Sequence, residues 1–201
     1  MVIRKRHNTA VRSREIAYAA RELVGKHGIE NLTTRAIAKK VGITQAAVYR
    51  HFRSKKDILL RVIDDTGEIL LADLNRAPVE GESCLDKLDV LLRRQLSSLT
   101  QTGVGNQVLL GPEIRRLHDK DLSNRMVKYI NLILGHYMEY LSQGITLGEI
   151  REDINLDAAA KLIFIMMNGL INIWEIDNDQ TLVEGEYGNQ WELFRNAVAK
   201  R

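Results

Sequence analysis

The sequence has very little cysteine and proline, and these shortages exclude several classes of protein. A single cysteine, Cys84, cannot form an internal disulfide, a CxxC motif or a zinc site of several thiolates, and it fits a reducing, cytoplasmic setting. Only 2 prolines and 14 glycines occur in 201 residues, which excludes collagen-like and low-complexity chains. With 45% hydrophobic and 27% charged residues, the composition is that of an ordinary globular protein.

Long apolar runs are also lacking. The basic N-terminal residues are not followed by an apolar stretch, so we expect no secretory signal peptide. The most apolar segment, residues 158–174, is interrupted by Lys161, Asn168 and Asn172 and falls short of the ~20 apolar residues of a membrane span. We interpret it as a buried helix and predict a soluble, cytoplasmic protein that does not enter a membrane.

Sequence motifs of common enzyme classes are missing as well. The chain contains no GxSxG, P-loop, GxGxxG or HExxH motif, and its 5 histidines are scattered. The GVG triplet at 103–105 is too short to cradle a phosphate. We therefore predict a protein that is not an enzyme and that has no cofactor and no metal site.

Charge is divided unevenly along the chain. Residues 1–60 hold 14 Lys and Arg against 4 Asp and Glu, which leaves 15 basic and 22 acidic residues for the remainder of a chain whose net charge is +3. A basic end on an acidic body indicates a polyanion partner for the basic end alone. The alternative is a basic face that is merely solvated.

Helical signals recur throughout, and no stretch alternates strictly as a half-buried strand would. The sequence predicts an all-α protein of about nine helices, with an N-terminal three-helix DNA-binding domain at 1–54 and a helical bundle at 55–201. The predicted elements are helices at 11–26, after a cap at Thr33 or Thr34, at 45–51 and at 55–75. They continue with a helix that begins at Ser83, which with Asp86 resembles a capping box, and a segment ending near His118. The last three are a helix at 121–143 with Gly144 past its end, a helix at 155–176 capped by Asn155, and a helix at 189–200 after an acidic loop.

The two short helices on either side of Gly42 predict a helix-turn-helix, whose second helix enters the major groove with its first residues nearest the bases. Those residues are Gln45, whose amide suits the N6/N7 edge of adenine, and Ala46 and Ala47, which permit close approach and can touch thymine methyls. Arg35 suits guanine, and Thr44 caps the helix. Phosphate contacts are predicted for Thr34, Tyr49, His51 and Lys55, although Tyr49 could instead pack and His51 could simply end the helix; Arg50 could contact either a base or the backbone.

The segment LTTRAIAKKVGITQAAVYRHFRSKKDILL at 32–60 resembles the DNA-binding region of the TetR family of transcriptional regulators. The resemblance covers about residues 11–60 and is much weaker beyond them. It implies a homodimer that binds a palindromic operator on double-stranded DNA and pairs through helices 158–176 and 189–200. It also implies a repressor that is released by an unknown small molecule bound in the body. The almost continuous apolar sequence at 162–167 fits such an interface, or a helix wholly buried in the monomer.

Ligand contacts are predicted at polar or aromatic residues on otherwise apolar helices, with Met126, Met166 and Met167 as adaptable walls. These candidates are Arg115, His118, His136, Tyr137, Asn168, Asn172 and Trp174. Two alternatives remain at this point. One is a DNA-binding protein of the same fold with a structural or division-control role, and the other is a regulator controlled by a protein partner.

Overall fold

The computed structural model describes residues 9–76, 83–102, 116–177 and 179–200, and in these ranges the chain is helical. Eight helices follow one another along these ranges: α1 Thr9–His27, α2 Thr34–Val41, α3 Gln45–His51, α4 Lys55–Leu74, α5 Cys84–Thr102, α6 Lys120–Thr146, α7 Leu156–Asp177 and α8 Gln180–Val198. The described residues contain no strand, and a single antiparallel bridge joins Ile150 to Ala199. The predicted all-α class is confirmed.

The contacts divide the chain into two compact units. The first comprises residues 1–67 and 107–126, and the second comprises 68–106 and 127–201. Helices α4 and α6 each contribute residues to both units. The division drawn from the sequence after residue 54 stays a prediction.

In the first unit, α1 packs on α2 and α3, and side-chain caps set where the short helices begin. Thr33 Oγ1 accepts from the Ala36 amide at 3.0 Å, and Thr44 Oγ1 accepts from the Ala47 amide at 3.1 Å. Gly42 ends α2 with φ 72°, a left-handed conformation that residues with a Cβ seldom adopt. The caps and this glycine fix the turn between α2 and α3.

In the second unit, α5 packs on α7 and α8, which also pack on each other. The cap of α5 is the predicted one: Ser83 Oγ accepts from the Asp86 amide at 3.1 Å and donates to the Asp86 carboxylate at 2.6 Å. The hydrogen bond from the Ser83 hydroxyl is the main reason that the pKa of Asp86 lies below its usual value. The side-chain Oδ1 of Asn155 accepts a hydrogen bond from the Ala158 amide and caps α7, also as predicted.

Two predicted boundaries in this unit were wrong. Gly144 lies inside α6 rather than past its end, and it is needed there because a Cβ would lie 2.6 Å from Ile150 Cδ1. The predicted acidic loop before residue 189 is largely helical, since α8 begins at Gln180. Val183, Tyr187 and Trp191 recur every four residues and are buried, so tertiary packing outweighs the low helix propensity of the two intervening glycines.

Among the described residues, one segment is long and apolar enough to cross a membrane by length and composition alone. It is Leu156–Trp174 in α7, with mean hydropathy 1.5 and about a third of its residues buried. Core helices and interface helices have the same composition, so this is weak evidence for a membrane span.

Candidate nucleic-acid interface

The outer face of α3 presents a polar surface on a rigid base. Val48 and Phe52 anchor the helix in the core of the first unit together with Ile37 of α2, and burial of each such side chain is worth ~1.5–3 kcal/mol. Gln45, Tyr49 and Arg50 are exposed on the other side. Since Val48 lies in the same seven-residue helix as the exposed residues and Phe52 directly follows that helix, the backbone that carries the exposed side chains is held in place.

The predicted base-reading residue, Gln45, is held by a neighbour on α2. Its Nε2 donates to Thr34 Oγ1 at 2.9 Å, and the Thr34 hydroxyl lies 3.5 Å from the Tyr49 hydroxyl, at the long end of hydrogen-bond range. A primary amide has two N–H groups and one carbonyl oxygen. One N–H is used by Thr34, so the second N–H and the carbonyl still provide the pair that a bidentate contact to adenine requires.

Two of the predicted phosphate-contacting residues, Lys55 and His51, contact other parts of the first unit. Lys55 Nζ donates to the Ile29 carbonyl at 3.2 Å, which joins the start of α4 to the loop after α1, while the residue stays exposed. Half-buried His51 places Nδ1 3.4 Å from Ser13 Oγ on α1. Arg35 and Arg50 are exposed, as are Thr44 and Ala46, and Ala47 is half-buried. The surface thus combines positive charge with hydrogen-bonding groups.

Three ion pairs in the first unit could not be predicted from the sequence. Lys56 Nζ of α4 lies 2.6 Å from Asp121 and 2.9 Å from Asp119, and Arg125 bonds to Asp64 at 2.5 Å. The Asp121 and Asp119 carboxylates raise the pKa of Lys56, and the Lys56 bond lowers the pKa of Asp119. The partners are more than 60 residues apart, so local sequence carries no signal for them. Together they fasten α4 to the first turns of α6.

The predicted ligand contacts are dispersed. Buried Tyr137 donates to Gln95 Oε1 at 2.6 Å, and its burial raises its pKa; Asn168 Nδ2 donates to the Phe164 carbonyl of its own helix at 2.6 Å. Half-buried His136 lies 3.7 Å from the Glu139 carboxylate. The remaining candidates are half-buried Trp174, exposed Asn172, exposed His118 with φ 50°, and Arg115, which lies outside the described residues.

A cavity of about 390 Å³ lies in the second unit between α5 and α8. Its described lining includes none of the seven candidates and is instead formed by residues such as Arg94, Leu96 and Val183. Nothing in the sequence singles out these residues, because adjacent arginines on an amphipathic helix usually mark a solvated face. No group of three potential metal ligands occurs in the ranges that the structure describes.

Comparison with known proteins gives a consistent result for the first unit. Residues 16–62 match the family described as bacterial regulatory proteins, tetR family. The chain is 25% identical to the fatty acid metabolism regulator protein of Bacillus subtilis over 170 residues, which cover 83% of this chain and 84% of that one. It is 24% identical to the nucleoid occlusion factor SlmA of Idiomarina loihiensis over 187 residues, which cover 93% and 95%.

Solved structures agree over almost the whole length. A TetR transcriptional regulator from Chloroflexus aurantiacus superimposes with a TM-score of 0.82 at 21% identity, covering 96% of this chain and 98% of the other. The ketosteroid transcriptional regulator KstR2 of Mycobacterium tuberculosis gives a TM-score of 0.71 at 19% identity, covering 94% and 96%. At these identities the likeness establishes the fold alone.

Proposed function

The chain belongs to the TetR family of bacterial regulatory proteins, and on that premise we propose that it is a repressor released from a palindromic operator when a small molecule binds its body. The observation that carries the DNA-binding part is the outer face of α3, where Gln45 keeps a free amide edge among exposed cationic side chains. Because the polyanion it binds is chromosomal DNA, we place the protein in the cytoplasm.

A palindromic operator is matched by a symmetric homodimer. Helix α7 carries a candidate surface for the dimer interface. Residues at 162, 165, 169, 172 and 176 alternate in steps of three and four, the spacing of a seam that packs on a second helix. Leu162, Ile165 and Ile176 are 58%, 64% and 82% exposed, and the face around Gly169 is open. Exposed apolar side chains grouped on one helix face are typical of a protein–protein contact, and Asn172 makes this stripe polar at one position. We propose that this stripe and Leu193 of α8, which is 73% exposed, form the dimer interface.

For release, we propose that α4 transmits the effect of the ligand. It is one continuous helix with residues in both units, and its first half is fastened by the Lys56 and Asp64 ion pairs to the start of α6. A ligand can shift the protein only if it binds one conformation better than the other. A change at the C-terminal half of α4 would then move α3 out of register with the major groove.

Selection of bound fragments from a random duplex library tests the DNA-binding proposal directly. We expect a palindrome whose half-sites lie about one helical turn apart, ~34–36 Å or a multiple of it. Sites placed upstream of a reporter should lower its transcription. A single asymmetric site bound by one chain would contradict the proposal.

Ligand response has its own test, because coupling between two sites is reciprocal. Once an effector is found, its affinity measured by calorimetry should fall when operator DNA is present, by the same factor that the effector weakens DNA binding. We expect ~5–150-fold for each coupled site. Equal effector affinity with and without operator would exclude release by ligand.

The nucleoid occlusion relative supports a second candidate, a DNA-binding protein with a division-control role. Mapping the occupied chromosomal sites separates the two. Binding at many dispersed sites with unchanged transcription of neighbouring genes favours the second candidate. Binding at a few promoters whose transcripts rise when the gene is deleted favours the repressor. Repression at promoters with no small molecule that releases the protein would indicate control by a protein partner.

A further inference from the structure

Two arginines line the cavity between α5 and α8, and one of them, Arg93, already has its charge balanced within the protein. Arg93 lies over the Tyr187 ring at 4.7 Å, and its Nε donates to both oxygens of the Asp89 carboxylate at 3.1 and 3.2 Å. Tyr187 donates to the same carboxylate at 2.7 Å. These bonds connect α5 to α8 and hold the Tyr187 ring rigid. The charge of Arg93 is therefore balanced by Asp89 without any ligand.

Arg94, the next residue, lines the same cavity, but its charge is not balanced as that of Arg93 is. It is half-buried, and within the described ranges it has neither a hydrogen bond nor an ion pair. A guanidinium removed in part from water gains most from a planar anion that accepts two parallel hydrogen bonds. Glu184, the acidic residue of the lining, is exposed on α8 and forms no ion pair with Arg94.

Leu96, Val183 and the Tyr187 ring form the apolar part of the described lining, and all three residues are buried. Ser97 and Thr100 also line the cavity, and the Thr100 hydroxyl donates to carbonyls of its own helix. Since a water molecule takes up ~30 Å³ in the liquid, about 390 Å³ corresponds to roughly a dozen non-hydrogen atoms. A cationic group without a protein partner beside apolar side chains is the pattern of a site for an amphipathic anion.

We propose that this cavity binds an organic carboxylate with an apolar body and about ten to twelve non-hydrogen atoms in total. The carboxylate pairs with the Arg94 guanidinium, and the apolar body lies along Leu96, Val183 and the Tyr187 ring. The inference deepens the proposed ligand response by giving the chemical class of the effector. Only the expected effect of the bound carboxylate on DNA binding rests on the proposed function, because binding in the cavity can be measured without DNA.

The first experiment compares acids with matched alcohols on the full-length wild-type protein by calorimetry at neutral pH. The probes are octanoate and 4-phenylbutyrate, each paired with the primary alcohol of the same carbon skeleton. At least one acid should bind ~10-fold or more tightly than its alcohol, because a hydrogen bond to a charged group is worth more than one to a neutral group. Equal affinities within both pairs, or no binding of either acid, would overturn the proposal.

Variants then assign the preference to Arg94. Arg94→Gln should abolish the difference between acid and alcohol, and Arg94→Lys should restore part of it. Arg151→Gln, which alters an exposed arginine of the same unit that pairs with Asp153, should leave it unchanged. Thermal melts identify any variant that is unfolded, and the wild-type comparison does not depend on them. An acid preference that survives in folded Arg94→Gln would show that the carboxylate binds elsewhere and overturn the assignment.

Failure of the inference and failure of the proposed function give different results. Acids that bind through Arg94 but leave the selected operator duplex bound support the cavity assignment and contradict release by this ligand class. Release of the operator by an effector that is not an anion, in a protein that binds neither acid, overturns the cavity assignment and leaves the repressor intact.

Discussion

Gln45→Ala is expected to remove discrimination at one base pair of each half-site and to lower affinity for the selected operator steeply. The alanine cannot form the bidentate pair with adenine, and each such pair is worth ~1–3 kcal/mol, so a dimer on two half-sites loses ~2–6 kcal/mol. Binding to random duplex should change little, because phosphate contacts supply most of that affinity. Titration of duplexes substituted at single positions, at one fixed salt concentration, measures both effects.

Lys55→Ala is the matched control for this variant. Its side chain is predicted to contact phosphate, so its loss should weaken all duplexes nearly equally and reduce the slope of log K against log salt by about one per site. The loss of the bond to the Ile29 carbonyl is a side effect that thermal melts can monitor. If Lys55→Ala changed base preference while Gln45→Ala did not, the two roles would have to be exchanged.

The bond between Thr34 and Gln45 makes Thr34 a positioning residue for the same base pair. Thr34→Val keeps the shape of the side chain but removes the acceptor of the Gln45 amide, whereas Thr34→Ser keeps the acceptor. We therefore expect reduced discrimination at the Gln45 base pair in the valine variant and near wild-type discrimination in the serine variant. Equal behaviour of the two would leave Thr34 with a phosphate contact alone.

Ile165→Glu is expected to convert the protein into monomers and to reduce operator affinity by ~10²–10⁴-fold, the advantage that linking two binding modules normally provides. Ile165 is 64% exposed within the α7 stripe, so the glutamate is well solvated in the monomer. In the proposed dimer it would be buried in the interface without a countercharge. Sedimentation and operator titration measure the two effects on one preparation.

Val127→Glu provides the comparison for this substitution. Val127 is a 53% exposed apolar residue on α6, outside the α7 and α8 stripe, and the same change there should leave both the mass and the operator affinity unaltered. A dimeric Ile165→Glu protein with full operator affinity would place the interface elsewhere. Monomers of both variants would indicate that the surface charge acts generally.

The DNA-binding unit could be predicted in detail because its signals are local. Thr33 and Thr44 cap the helices that they precede, and Gly42 supplies the left-handed residue that the turn requires, so three positions set the helix-turn-helix. The bounds of α3 agree with the prediction at Gln45–His51. Caps and turn residues act within four positions of the chain, which is why the sequence alone contains this information.

In the body, the sequence determined the helical class and the caps of α5 and α7 but misplaced two boundaries. Glycine and acidic residues before position 189 favour a loop locally, yet Val183 and Tyr187 gain more by burial against α5 and α7 than the helix loses at Gly185 and Gly188. Gly144 was interpreted as a helix end because glycine often follows one. Its actual role is to admit Ile150, a contact made by tertiary packing.

The sequence by itself determined the helical class of the protein and the helix-turn-helix, because both depend on residues near one another in the chain, and it predicts which face of that motif reads the bases. Tertiary structure alone decided which distant side chains meet: Gln45 with Thr34, Lys56 with Asp119, and Arg94 with the apolar wall of the α5 and α8 cavity. Pairings of this kind depend on how whole helices pack, and the spacing of residues within a helix fixes only the face on which each side chain lies.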